Sequence, residues 1–476
     1  MTNSSESFDP IEWIWRWIED RTGLKRIVLR PQPEFSLYSA HYWLGALAVM
    51  SFVVQAVTGF LLMTNYVPLY QTLPNGANNL AWQSVNYIIN KVPYGALIAT
   101  MHLYGAYAMI FIAFLHLVRN YLVGAFKKPR ELMWILGMGL GVITLVYGFT
   151  GYLLPMNTVS YGATSVGVQL ASYFPGVIGK VIPELLKGTI FPDNTLNRFF
   201  AFHVVLLPIA FLAILGIKIG LVFEAHGAHG PVEVSPTKGP RNRKVSWYPR
   251  LIWYSIGLFT FYVAVLLIIS ALFPITAGQE YTGGALGANV IPDWYFVWTD
   301  IVLRASFFSN AYVIDGLLFM LGAVVLLVLM PWIDRSPAAH GAQRPLMSIL
   351  FMAMIAELFA LNAYGYLTSS AVEISSGFDI FEIFIFVPLS VILLGLVIYR
   401  YSPAYLINEG KLWAVKPSWR LTDFVKEKSS EAEVLVSSNA VQTRSGKATT
   451  DLPTRVADAD FFADSVKDAN KDSQNN

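Results

Sequence analysis

The chain carries seven histidines, at 41, 102, 116, 203, 226, 229 and 340. Three of them, His102, His116 and His203, fall within long apolar runs. Ionisable residues in such runs are rare and costly, and they mark function by default. His102 and His116 are fourteen positions apart. That is close to four helical turns, so both side chains point to nearly one face, about 21 Å apart along the axis. Two readings compete. In the first, each histidine is buried against a hydrogen-bond partner. In the second, the histidines ligate haem iron. Two haems stacked across a bilayer need ligands about 20 Å apart on one helix, facing ligands at similar spacing on another.

His203 opens a second apolar run that can face the first, so on the haem reading His102 can face His203. The partner of His116 should lie fourteen or fifteen residues beyond His203, where Ile217 and Lys218 stand. Lys218 is the only ionisable residue between His203 and Glu224. Three readings of it stay open. A neutral lysine amine binds the second iron opposite His116, since burial favours an uncharged amine. Alternatively, Lys218 snorkels to the interface and leaves that iron five-coordinate. In the third reading there is no inner haem. Glycines repeat the histidine interval: Gly45 and Gly59 are fourteen apart, and so are Gly137 and Gly151. A missing side chain lets a flat macrocycle approach the backbone. Ordinary small-residue helix packing is the plainer explanation of any one pair.

The elements that hold these residues follow from composition. Of 476 residues, 55% are hydrophobic and only 13% charged. That is about half the charge of a soluble domain, which excludes a soluble enzyme and leaves a polytopic membrane protein. The net charge of +2 gives no support for nucleic-acid binding. There is no cysteine, so the chain holds no disulfide, thiolate metal site or cysteine-ligated iron–sulfur cluster. The opening MTNSSESFDP has no basic n-region, so no cleavable signal peptide is expected.

Eight stretches are long and apolar enough to span: roughly 40–64, 94–118, 132–154, 200–223, 250–274, 312–332, 347–367 and 380–400. Basic residues gather before the first span and after the second, fourth, sixth and eighth. The positive-inside rule then puts both termini in the cytoplasm. Residues 11–18, IEWIWRWI, read as a short interfacial helix. Residues from about 425 onward, rich in Ser, Asp, Lys and Asn, read as a disordered tail. The long connection between spans three and four should carry small helices on the external face.

These residues together resemble cytochrome b of the quinol-oxidising cytochrome bc complexes, over roughly residues 35–400. The resemblance rests on the two glycine pairs with Gln55 between the first, the His102–His116 pair followed by Arg119, GYLLP at 151–155 and YGAT at 161–164. It rests further on NRFFAFH at 197–203, PDWYF at 292–296 with Arg304, and PWIDRSP at 331–337. It implies an all-α membrane protein of eight transmembrane helices. A cytoplasmic segment with an interfacial helix would cover 1–38, a di-haem four-helix bundle 39–230, a cytoplasmic linker 231–248, a C-terminal four-helix region with the PDWY loop 249–405, and a tail 406–476.

The resemblance implies two haems, b-type or a variant, with quinol and quinone as substrates. The low-potential haem would lie near the outer face on His102 and His203, and the high-potential haem near the inner face on His116. Gly45, Gly59, Gly137 and Gly151 would make room for them, and Arg119 resembles the partner of a haem propionate. The outer quinol site would be built from Pro292, Asp293, Trp294 and Tyr295 with Tyr152 and Gly162. Asp293 stands where the family usually has Glu and would accept a quinol proton. At an inner quinone site the candidates are His41, Glu224, His226 and Lys244.

The chain departs from the family at Met156, where a Trp is usual, at Ala99, where an Arg is usual, and near Ser255, where an acid is usual. These departures and the lack of cysteine suggest a divergent prokaryotic member, archaeal ones included, in the plasma membrane. Implied partners are a Rieske iron–sulfur protein, a downstream cytochrome or other electron acceptor, membrane lipid and a second copy of the chain. Two rivals come from other classes. One is a di-haem anchor for a soluble dehydrogenase; such anchors usually lack a PDWY loop and the last four spans. The other is a secondary transporter with a His/Lys proton relay, for which no internal repeat or matched pair of broken spans is visible.

Overall fold

The computed structural model describes residues 10–22, 31–33, 40–74, 76–173, 176–187, 193–224, 244–246, 250–283, 291–305, 312–336, 338–368 and 381–413. The expected tail, His226 and His229 lie outside the described residues. IEWIWRWI falls within a helix, α1 (Pro10–Thr22).

Among the described residues, seven helical segments are long and apolar enough to cross a membrane: Ala40–Met63, Gly95–Leu122, Glu131–Leu153, Asp193–Val222, Ile252–Leu272, Pro345–Leu367 and Phe381–Arg400. Each covers one of the expected spans. The sixth expected span, 312–332, is instead a 17-residue helix, Tyr312–Val328, followed by the short helix Met330–Ile333. Pro331 explains the break. It has no N–H to offer the carbonyl of Leu327, one turn earlier, and its ring would clash there. The indole of Trp134 takes that carbonyl instead, at 2.7 Å.

Four helices make the N-terminal bundle: α2 (Leu44–Met63), α3 (Gly95–Leu122), α4 (Glu131–Leu153) and a fourth that runs as one span from Asp193. The fourth is built from α5 (Asp193–Ala201), a π-helical turn (Phe202–Leu206) and α6 (Leu207–Glu224). The π-turn is two residues short of Pro208, and the other π-turn, Phe381–Phe386, is two residues short of Pro388. In both, proline cannot supply the usual i to i−4 bond, and the wider turn before it absorbs the mismatch. Halfway along the bundle, Phe52, Met109, Leu140 and Phe211 meet in one apolar layer, one residue from each helix.

The connection between the third and fourth spans carries small helices, as expected: α7 (Thr158–Ala171) and α8 (Ile178–Lys187), which lead into α5. They pack with a β-hairpin (Tyr70–Leu73 and Gly76–Asn79) around Leu153, Met156, Leu196 and Phe199. Asn79 fastens this cap. Its amide donates to the carbonyls of Met156 (2.9 Å) and Tyr281 (3.0 Å), and its Oδ1 accepts from the N–H of Trp82.

At the opposite end a buried ionic knot joins three loops. Arg344 donates to Asp334 at 2.7 Å, and Lys127 bonds the same carboxylate at 3.1 Å. The PWIDRSP motif thus ties the C-terminal helices to the loop after the second span.

Candidate functional site

His102 on α3 and His203 in the π-turn face each other, with ring centroids 6.3 Å apart. Metal–imidazole bonds of about 2 Å leave room for one metal atom between two such rings. Thr58 stands 2.9 Å from Nδ1 of His102, and Thr150 stands 3.2 Å from Nδ1 of His203. Each threonine hydroxyl spends its own proton on a carbonyl one turn earlier, Val54 at 2.7 Å and Val146 at 2.9 Å. It can therefore only accept from the imidazole. This fixes the proton on Nδ1 and leaves the Nε2 lone pair of both rings free for a metal.

The glycines back the ligand candidates one by one. A Cβ on Gly59 would stand 3.0 Å from Cε1 of His102, and one on Gly151 would stand 2.7 Å from Cε1 of His203. A Cβ on Gly45 would stand 3.0 Å from Cε1 of His116, and one on Gly137 would stand 2.7 Å from Nζ of Lys218. Two stations result, one on each side of the Phe52 layer. Both suit a flat macrocycle between four helices.

The second station differs chemically. Leu44 and Leu136 precede its glycines, where the first has Thr58 and Thr150. Nε2 of His116 meets the Asn120 amide at 3.0 Å, and its Nδ1 is buried with no partner among the described residues. Arg119 is buried beside it, with its guanidinium 4.4 Å over the Tyr42 ring and donating to Asn120 at 3.0 Å. Arg130, which reads in the sequence only as a loop charge, is close enough to Arg119 to interact with it. Two guanidiniums at one end of the bundle suit an anionic group such as a propionate.

The PDWY loop sits against the first station. Tyr107, five residues along α3 from His102, donates to Asp293 Oδ1 at 2.9 Å, and Tyr295 donates to Oδ2 at 3.4 Å. Tyr295 is buried with its ring against Gly148, at 3.0 Å from the hydroxyl to where a Cβ would stand. Tyr152 is near enough to Asp293 to interact with it electrostatically. Burial raises the Asp293 carboxyl above its ordinary value, and the hydrogen bonds from Tyr107 and Tyr295 offset part of that rise. Pro292 and Trp294 are half-buried around it. Gly162 is buried on α7, where the neighbouring Tyr161 stacks on Tyr281 at 3.7 Å.

The inner quinone candidates are not brought together. His41 is exposed in a 3-10 turn, its ring 4.5 Å from that of Tyr42, while Glu224 ends α6. Lys244 pairs through its backbone with Pro33. An open apolar groove is lined by Trp43, Trp253 and Tyr254, and His41 is not among its lining residues. His340 is half-buried and caps a 3-10 turn by accepting from Ala342 at 3.2 Å.

Thr58, Thr150, Tyr107 and Arg130 were not singled out in the sequence. The two threonines were legible there, since each directly precedes a glycine of the fourteen-residue pairs.

The geometry agrees with comparisons to known proteins. The family model for cytochrome b (N-terminal)/b6/petB matches residues 107–280, and the model for cytochrome b (C-terminal)/b6/petD matches 286–386. The chain is 32% identical to the cytochrome bc complex cytochrome b subunit of Chlorobaculum thiosulfatiphilum, over 68% of this chain and 72% of that one. It is 32% identical to cytochrome b of Rickettsia prowazekii, covering 76% and 87%. Cytochrome b of Sulfolobus acidocaldarius is 27% identical, covering 75% and 67%. A chain of a solved hyperthermophilic respiratory Complex III shares the fold, with a TM-score of 0.65 at 24% identity over 83% of this chain and all of that one. Seven apolar membrane-spanning helices, a histidine-lined helical bundle and these matches together place the chain in the cytochrome b family of multi-pass membrane proteins.

Proposed function

We propose that this chain is the cytochrome b subunit of a respiratory quinol-oxidising bc-type complex in a prokaryotic plasma membrane, with both termini cytoplasmic. The observation that carries the reading is the His102–His203 pair, 6.3 Å apart and with each Nδ1 held by a threonine, one and a half turns from the Tyr107–Asp293 hydrogen bond. A redox group and a proton acceptor are thereby neighbours, as quinol oxidation requires. When bound, two haems supply one-electron transfer across the bilayer, toward an inner quinone site beside His41.

The residues of the chain divide the remaining work. Tyr295, Tyr152 and Trp294 line the outer pocket and position the quinol ring. Asp293 accepts a proton from the quinol hydroxyl, and Tyr107 steadies the carboxylate that receives it. Because the Asp293 carboxyl is shielded from water, its proton affinity is raised toward that task. Arg119 and Arg130 would hold anionic propionates at the inner station, and His41 is the residue proposed for the inner quinone site. The first of the two quinol electrons goes to a Rieske-type partner, since this chain has no cysteine for such a cluster. A downstream cytochrome or other acceptor, membrane lipid and a second copy of the chain complete the assembly.

The test is a purified complex assayed for haem per chain and for quinol-dependent reduction of an acceptor. Two haems per chain with turnover blocked by outer-site inhibitors is the expected result. Two haems without quinol turnover would favour an anchor subunit, and no haem would overturn the reading.

A further inference from the structure

We infer that Lys218 is the second axial ligand of the inner haem, opposite His116, so that this chain holds one bis-histidine haem and one histidine–lysine haem. The inference rests on the two-haem reading above and deepens it.

Three observations carry it. The first is position. The four glycines each oppose one side chain: Gly59 His102, Gly151 His203, Gly45 His116, and Gly137 Lys218. The Lys218 amine sits 2.7 Å from where a Gly137 Cβ would be. It therefore points into the bundle at the second station, which His116 also lines, and it does not run along the helix toward the interface.

The second is register. His102 and His116 are fourteen residues apart, whereas His203 and Lys218 are fifteen apart. A straight helix would rotate the fifteenth residue about 100° away from the fourteenth. The π-turn at Phe202–Leu206 takes up one extra residue. It brings position 218, and not 217, onto the His203 face at the spacing of the facing pair. Ile217 is correspondingly exposed on the outside of the bundle.

The third is chemistry. Lys218 makes no hydrogen bond or ion pair among the described residues. The His116 ring is held at Nε2 by Asn120, at 3.0 Å, and its buried Nδ1 has no partner there. The two groups are close enough to interact electrostatically. A lysine amine and an imidazole that face each other in an apolar bundle, the one unpaired among the described residues and the other held only by the neutral Asn120 amide, form the donor set of an iron site. Lysine brings a neutral amine lone pair, which binds iron as imidazole does but without a second-shell hydrogen bond such as Thr58 gives His102.

The test uses the purified complex, read by haem stoichiometry, low-temperature EPR and near-infrared magnetic circular dichroism. Wild type should show two low-spin ferric haems, with one charge-transfer band at the amine–imidazole position and one at the bis-imidazole position. Lys218→Ala should turn one haem high-spin and leave the other unchanged. Lys218→His should return it to low spin with two bis-imidazole bands, a rescue that loss of folding could not mimic. Two low-spin signals unaltered by Lys218→Ala would overturn the inference, and so would an inner haem already high-spin in wild type. Fewer than two haems per chain in wild type would instead sink the two-haem reading on which it rests.

Discussion

Tyr107 donates a 2.9 Å hydrogen bond to Asp293 across 186 residues of sequence, joining the second span to the PDWY loop. A hydrogen bond to the carboxylate favours its ionised form and so lowers its proton affinity. Burial acts the other way and wins, leaving Asp293 above its ordinary value. Tyr107→Phe removes one of the two opposing hydrogen bonds, so the Asp293 carboxyl should rise further. In the proposed role the deprotonated form accepts the quinol proton, so activity should grow as pH climbs through this group. The acidic limb of quinol oxidation should therefore move upward by about one to two pH units, the worth of a hydrogen bond to a charged group. A pH profile of steady-state turnover in membranes checks it, and an unmoved limb would remove Asp293 from the role.

Asp293→Asn keeps the shape of the side chain and one of its two acceptor oxygens, enough to take the Tyr107 hydrogen bond, but cannot accept a proton. Quinol oxidation should fall by about 10² or more, the usual contribution of a positioned base. The haem spectrum should be unchanged, because Asp293 contacts neither histidine. Asp293→Glu restores a carboxylate and should recover most of the rate. Equal loss in both variants would point to packing and away from proton transfer.

Thr58 and Thr150 each accept the Nδ1 proton of a histidine in the first station. Such a bond raises the basicity of the ligating nitrogen and orients the ring. Thr150→Val should leave His203 in place while making it a poorer donor. The outer haem should then be lost about tenfold more readily, and its midpoint potential should rise because the oxidised iron is less well stabilised. The inner haem should keep its potential. A redox titration of both haems separates these outcomes, and an equal shift at both would refute the assignment.

Much of this arrangement was legible in the sequence because periodicity encodes a helix face. His102, His116 and the glycine pairs sit at four-turn intervals, and the structure lines them up accordingly. The place of Lys218 was harder to read. Either Ile217 or Lys218 could have stood opposite His116 until the π-turn chose between them, and a π-turn is a response to Pro208 that no propensity scale states. The sixth span is helical where the sequence places it, but Pro331 divides it into Tyr312–Val328 and Met330–Ile333, a break that an apolar run of continuous composition does not show. Tyr107 escaped notice because its partner lies far along the chain, and only the tertiary fold turns an ordinary aromatic in a span into a hydrogen-bond donor.

The ionic knot at the other end should govern stability. Asp334 and Arg344 are both 1% exposed and 2.7 Å apart. Burial alone would raise the Asp334 carboxyl, but the charges of Arg344 and Lys127 outweigh it and hold the group below its ordinary value. Its stabilising contribution is thus complete above the usual carboxylate range and is lost as pH falls through the depressed value. Asp334→Asn strands two buried cations and should cost about 3–5 kcal/mol. Thermal melts of the solubilised chain should show this loss at neutral pH, with the difference from wild type shrinking in acid. A difference that is constant across pH would mean that the charge is not its source.

Glycine substitutions on one helix can separate making room for haem from ordinary helix packing. Gly137, Gly139 and Gly151 all lie on α4. A Cβ on Gly139 meets nothing within 4 Å, whereas one on Gly151 stands 2.7 Å from the His203 ring. That ring is packed against Tyr147, 5.4 Å away, and held by Thr150, so it cannot retreat cheaply. Gly151→Ala should therefore lower outer-haem content severely, and Gly139→Ala should leave both haems in place. Gly137→Ala is the intermediate case. It meets only the end of the flexible Lys218 side chain, which can swing aside, so the fold should survive while an inner haem ligated by Lys218 would lose that ligand. Haem-to-protein ratios resolved by spin state across the three variants check the order. Equal effects at Gly139 and Gly151 would return these glycines to plain helix packing.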